Sequence, residues 1–183
     1  MTGAGRDWLM VIDLQSAFSH PESPWFTPSV APIGRRIEDL VERFGARVVF
    51  TRFVPPETPF GSWRAYYEKW PFALRSEAGW LWALDAPWTG RRTLDTHTFS
   101  KWLPEMRERC AGDAAVILCG VTTDCCVLLT ALAAVDDGVH VRVVDDACTA
   151  KTAEHHARAL ALMATRAPQL RIVTVAEELA CRT

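Results

Sequence analysis

No apolar run in the 183 residues approaches the roughly 20 needed to cross a bilayer. The opening stretch Met1-Thr-Gly-Ala-Gly-Arg-Asp7 lacks the apolar core of a signal peptide. Cys-x-x-Cys is also absent, which speaks against a zinc site of that spacing. An excess of one charge is missing too: 20 Lys and Arg against 22 Asp and Glu leave a net charge of −2. The basic residues are scattered apart from pairs such as Arg35-Arg36 and Arg91-Arg92, so neither nucleic acid nor an anionic membrane is an expected partner. There is no internal repeat and no low-complexity tract. With 49% apolar residues, the chain is expected to form one globular domain over residues 1–183, in the cytoplasm. In that setting its six cysteines read as reduced thiols, and the adjacent pair Cys125-Cys126 would be a poor staple.

The apolar segments alternate strand with helix. Strands are expected over Trp8–Asp13, Arg47–Phe53, Arg92–Phe99, Ala114–Cys119, His140–Asp145 and Leu170–Val175. Helices are expected over Pro32–Phe44, Lys101–Cys110, Asp124–Asp137 and Ala153–Ala164, with a terminal turn at Glu177–Ala180. Such alternation predicts a three-layer α/β/α Rossmann-like fold around a six-stranded, mainly parallel sheet. Ligands bind such sheets beyond the carboxyl ends of the strands.

Residues 54–88 interrupt the pattern. They hold five of the 11 prolines and five of the eight tryptophans, too aromatic for a plain connection and too irregular for a core element. Two compatible readings follow: an apolar insertion packed on the sheet or on another subunit, or a cover for a substrate.

Chemistry is expected at two strand ends. Gly120-Val-Thr-Thr-Asp-Cys-Cys-Val127 follows the fourth strand directly and opens a helix. Thiols in a first helical turn lie near unpaired N–H groups and the positive end of the dipole, which favour a thiolate and a developing oxyanion. Thr123 or Asp124 would suit the N-cap. Asp13 closes the first strand and is a candidate general base. Asp145 and Asp146 end the fifth strand, where capping is the plainer role.

Gly120–Val127 resembles the signature of the isochorismatase-like cysteine hydrolases, which include nicotinamidases and N-carbamoylsarcosine amidases. Val11-Ile-Asp-Leu-Gln15-x-x-Phe18 is similar to that family's first-strand motif, Gly61-x-Trp63-x-x-Tyr66-Tyr67-x-x-Trp70 resembles a subfamily, and His156 falls where the family often has histidine. The resemblance covers nearly the whole chain. It implies Cys126 as nucleophile, Asp13 as its base, a cis peptide between Val121 and Thr122, and an oxyanion hole from the Thr122 and Cys126 N–H groups. Cys125 falls on a variable position and reads as packing. The implied reaction is hydrolysis of a C–N bond in a small amide or carbamoyl substrate through a thioester. Phe18, Trp63, Tyr67, Thr96 and Trp102 are candidate pocket walls, which would suit an apolar or aromatic substrate. A homodimer or homotetramer is expected.

The family's catalytic lysine is the point of departure. Aligning Thr98-Phe99-Ser100 with the family puts Thr96 at that position, and Lys101, five residues on, reads as a solvated residue at a helix start. An ammonium about 4 Å from a thiolate contributes roughly 4 kcal/mol at an effective dielectric of 20, more than a helix start supplies. Either Lys101 or His97 takes the role, or the reaction differs, or the chain is a weakened relative serving as a binding or scaffold protein. Nicotinamidases resemble this chain but carry an Asp-x-His pair after the second strand. Here that stretch reads Thr51-Arg-Phe-Val-Pro-Pro56, so neither a metal nor another cofactor is expected.

Overall fold

The computed structural model describes residues 6–180. The last cysteine and most of the opening stretch discussed above lie outside them. Six parallel strands form one sheet in the order β3-β2-β1-β4-β5-β6: β1 (Trp8–Ile12), β2 (Val48–Phe53), β3 (Thr93–Thr96), β4 (Val116–Val121), β5 (Val141–Thr149) and β6 (Leu170–Val173). The chain winds outward from β1 in one direction and from β4 in the other. The carboxyl ends of β1 and β4 therefore flank the switch point, where crossing loops part and leave a crevice.

Helices cover both faces. Short α1 (Ser16–Ser19) follows β1, and α2 (Val30–Phe44) presents Ile33, Ile37, Leu40, Val41 and Phe44 to the core at helical spacing. Gly45 ends α2 at φ 57°, with its N–H on the Val41 carbonyl. Helix α2 packs with α7 (Val175–Ala180), while α5 (Leu128–Asp136) packs with α6 (Ala153–Ala164). The expected terminal turn is thus a helix.

Residues 54–88 are ordered around α3 (Trp63–Lys69) and two 3-10 segments, Pro71–Leu74 and Ser76–Trp82. Buried Gln15 ties this insertion to the sheet. Its Nε2 donates to the Phe53 and Trp82 carbonyls at 3.0 and 2.9 Å, and its Oε1 accepts from Phe53 N at 2.8 Å. Trp25 is the hub of the aromatic packing, with ring centroids 5.1–6.1 Å from Phe18, Phe53, Tyr66, Trp70, Phe72 and Trp82.

Three departures from expectation bear on the site. Strand β3 stops at Thr96, and α4 (Pro104–Arg109) begins only at Pro104, so residues 97–103 form a loop and Lys101 starts no helix. The turn after β4 is one turn of π-helix, Thr123–Val127, running into α5. Strand β5 is longer than expected and bulges: while β4 advances from Leu118 to Gly120, β5 advances from Val143 to Cys148, and Asp145 and Asp146 stand in the bulge.

Gly120 shows why the β4 end needs glycine. At φ 113°, a Cβ there would lie 2.2 Å from the Ile12 carbonyl oxygen, so only a bare backbone lets β4 approach β1 this closely.

Cys110, Cys119 and Cys148 are buried core thiols, and burial pushes all three up, Cys110 to about 11 with Asp7 adding to the effect. A thiol in the unfolded chain ionises near pH 8.5. Below that pH both states keep the proton and the packing contribution is intact. Above it the unfolded chain loses the proton while the folded one holds it, so stability falls as pH rises. Urea denaturation between pH 8 and 11 is expected to show a midpoint that declines from about pH 8.5 upward, and a flat profile would contradict this origin.

Candidate active site

Asp13 stands at the first residue beyond β1 with φ 52°, a left-handed conformation uncommon for a residue with a Cβ. Thr51 of β2 holds it there: Thr51 Oγ1 donates to Asp13 Oδ1 at 2.7 Å and accepts from Asp13 N at 3.3 Å. Both residues are fully buried.

The ammonium facing Asp13 belongs to Lys101. Its side chain is 0% exposed and Nζ lies 3.2 Å from Asp13 Oδ2, which corrects the reading of Lys101 as a solvated residue. Nζ also donates to the Thr98 carbonyl at 2.9 Å and sits 5.0 Å from the centroid of the Phe53 ring. The contact with Oδ2 is a close ion pair rather than a directed hydrogen bond, and Oδ2 has no hydrogen-bond partner among the described residues. One carboxylate oxygen is thus fixed by Thr51 and the other is open, in a place where water does not reach it.

Thr130 of α5 couples the lysine loop to the cysteine turn. It accepts from Lys101 N at 2.8 Å and donates to the Cys126 carbonyl at 2.6 Å. In the π turn, the N–H groups of Cys125 and Val127, on either side of Cys126, close on the Thr122 carbonyl at 3.1 and 3.2 Å. The peptide joining Val121 to Thr122 is cis. Neither Thr123 nor Asp124 caps the turn; Thr122 occupies the N-cap without a side-chain bond.

The two thiols act as a pair. A hydrogen bond to Cys125 raises Cys126 well above the usual thiol range, burial and the Asp13 carboxylate add to this, and Lys101 opposes it. The same hydrogen bond lowers Cys125. The surroundings of Cys126 therefore favour its thiol over the standing thiolate that its place near a helix start suggests. The neighbouring thiol, burial and Asp13 together oppose the dipole of one turn.

A cavity of about 480 Å³ opens over this turn. Its apolar wall is Phe18, Trp25, Phe53, Tyr66, Trp70 and Phe99. Thr122, Cys125 and Cys126 meet it, as do Asp124, Lys69, Lys151 and His155. Burial, with smaller contributions from Cys125 and Cys126, pushes the Tyr66 hydroxyl upward, so it stays a donor.

Of the expected walls, only Phe18 lines this cavity; Trp63, Tyr67, Thr96 and Trp102 do not. Trp63, Tyr66 and Tyr67 of α3 and Trp70 just after it stand at helical spacing on one face, of which Tyr66 and Trp70 reach the cavity and Trp63 and Tyr67 pack beside it. Trp63 backs onto Phe99 at 4.9 Å, and Tyr67 is buried beside Phe53 and Ala73. Trp102 points away, its indole N–H on Asp137 at 2.5 Å and its ring against another hollow. Thr96, the last residue of β3, bonds Thr98 at 2.9 Å and so does not stand in for the lysine. His97 packs on Phe60 and Trp63 instead of reaching Asp13. Asp146 does cap, accepting from Val175 N at 2.8 Å at the start of α7, whereas Asp145 turns to His156. Sequence reasoning missed Trp25, Phe53, Thr51 and Thr130, and gave Gln15 no role of its own.

A family model for the isochorismatase domain matches residues 7–178. The chain belongs to the isochorismatase family. A short stretch of 38 residues is 53% identical to bovine isochorismatase domain-containing protein 2, covering 21% of this chain and 19% of that one. Among solved structures, a cysteine hydrolase from Pseudomonas syringae pv. phaseolicola superposes with a TM-score of 0.80 at 21% identity, over 96% of this chain and 92% of the other. A nicotinamidase from Bacillus subtilis does so with a TM-score of 0.70 at 16% identity, over 92% and 99%. A pyrazinamidase from Pyrococcus horikoshii, solved in complex with zinc, gives 0.69 at 25% identity, also over 92% and 99%. Among the described residues no group of three His, Cys, Asp or Glu side chains is placed to ligate a metal.

Two outcomes test the site. Lys101→Met leaves Asp13 as an uncompensated buried charge and is expected to cost about 3–5 kcal/mol in urea unfolding, with most of it restored by adding Asp13→Asn. Iodoacetamide near neutral pH is expected to alkylate Cys125 ahead of Cys126, as followed by peptide mass spectrometry, and Cys126→Ala should slow Cys125 by removing the S–H that lowers it.

Proposed function

We propose that this chain is a metal-independent cysteine hydrolase that cleaves a C–N bond in a small amide or carbamoyl compound through a thioester on Cys126. The observation that carries the reading is Oδ2 of Asp13, buried, ion-paired with the Lys101 ammonium at 3.2 Å and accepting no hydrogen bond among the described residues. Such an oxygen keeps a lone pair for a proton.

Asp13 Oδ2 takes the proton from the Cys126 thiol as sulfur attacks the substrate carbonyl carbon. Lys101 stabilises the carboxylate before transfer and the thiolate as it forms, which offsets the resistance of the buried sulfur to ionisation. The carbonyl oxygen gains negative charge and is received by the Thr122 and Cys126 N–H groups; such donors contribute about 3–4 kcal/mol each in the transition state. Asp13 then returns its proton to the departing nitrogen, the C–N bond breaks, and a thioester remains on Cys126. A water gives a proton to Asp13 and attacks the thioester. The acid leaves, and the proton goes back to the sulfur.

The aromatic wall suits a substrate whose body is apolar or flat. Its acyl carbon would lie beside Cys126, which meets the cavity. With Lys101 paired to Asp13, the reading of the chain as a weakened relative loses its motive.

The test is acid-quenched mass spectrometry during turnover of a panel of small aryl amides and carbamoyl compounds. An acyl group is expected on Cys126, with Cys126→Ala losing at least about 1,000-fold in rate and turnover surviving dialysis against a chelator. Full turnover by Cys126→Ala, or an acyl group on Cys125 instead, would sink the proposal.

A further inference from the structure

A second chain of polar contacts, separate from Asp13, Lys101 and Cys126, ends on the same turn. Thr123 Oγ1 lies 2.8 Å from His156 Nδ1, and His156 Nε2 lies 2.8 Å from Asp145 Oδ1. The three residues come from the π turn, from α6 and from the bulge of β5.

An acid, a histidine and a hydroxyl in series resemble the wiring that activates a nucleophilic hydroxyl. Access rules that out here, since Thr123 is 0% exposed and lines no part of the cavity. The wiring serves geometry. The Asp145 carboxylate only accepts, so His156 carries its hydrogen on Nε2, and in the neutral ring Nδ1 accepts from the Thr123 hydroxyl. Each donor has one acceptor, which fixes the Thr123 rotamer.

The place of Thr123 gives this its consequence. It follows Thr122 directly and lies three residues before Cys126, inside a π turn, a geometry rarely kept by local bonding alone. Its hydroxyl is not spent on capping that turn. On the other side, Asp145 is aimed at α6 by the register slip of β5 against β4, and Thr152 starts α6 by accepting from His155 N at 3.1 Å. Two elements are thus shaped to hold one buried hydroxyl.

We propose that His156, clamped by Asp145, is a positioning residue that acts through Thr123 to keep the Thr122 and Cys126 N–H groups facing the substrate oxygen. This rests on the cysteine-hydrolase reading above.

Two reactions of the cysteine pair separate this role from general support of the fold. Acetylation of Cys126 by p-nitrophenyl acetate forms a C–S bond, breaks the C–O bond to p-nitrophenolate and passes through an oxyanion. Alkylation of the pair by iodoacetamide displaces iodide at carbon and forms no oxyanion. In the full chain, His156→Ala and Thr123→Val are each expected to slow acetylation on the order of 10- to 100-fold while alkylation changes less than about threefold. The double variant should be no slower than the worse single one, because both break one linkage. His156→Asn, whose amide oxygen can accept from Thr123, should recover part of the loss. Equal acetylation rates in wild type and His156→Ala, or a parallel fall of both reactions in all variants including His156→Asn, would overturn the positioning role. A wild-type chain that takes no acetyl group on Cys126 would instead remove the hydrolase reading itself, and this role with it.

Discussion

The structure turns on one buried ion pair that is not fully bonded. Lys101 and Asp13 are both sealed from water, and burying two charges is tolerated only when each is compensated. Lys101 is satisfied by the Thr98 carbonyl, the Phe53 ring and the carboxylate. Asp13 is hydrogen-bonded on Oδ1 by Thr51, while Oδ2 meets Lys101 only as an ion pair and accepts no hydrogen bond among the described residues. A structural ion pair would close that last position. The supports around the pair are single hydroxyls: Thr51 for the acid, Thr130 for the lysine loop and the cysteine turn, Thr123 for the turn itself.

These hydroxyls explain why so irregular a backbone persists. A left-handed Asp13, a π turn and a bulged β5 are each less favourable than regular structure. They occur together at one end of the sheet, and each is held by a side-chain bond from a neighbouring element. The opposite end is conventional. There Asp7 accepts from Ala115 N and pairs with Arg142, which also pairs with Glu178, and all these contacts close.

The aromatic insertion is a wall with two sides. Its inner side brings Tyr66 and Trp70 to the cavity, and its anchor is Gln15, two residues after Asp13. A segment that covers the site is therefore tied to the same loop that positions the acid. Its outer side leaves Phe60, Leu74 and Trp80 exposed.

The sequence alone determined the alternation of strands and helices, the parallel sheet and the motif ends that carry Asp13 and Cys126. Local periodicity and the residues Gly120–Val127 encode those directly. It could not decide which residue faces Asp13, because that depends on where β3 ends and how residues 97–103 curl, with the Lys101 N–H caught by Thr130 from an element 29 positions away. Nor could it choose between Trp63 with Tyr67 and Tyr66 with Trp70, since all four share one helical face and only the tilt at which that face docks decides which of them reach the cavity. The protonation of the two thiols was likewise out of reach. Charge on a sulfur is set by what surrounds it in three dimensions, and a neighbouring thiol, burial and the Asp13 carboxylate together oppose the one feature that the chain order displays, a turn leading into a helix.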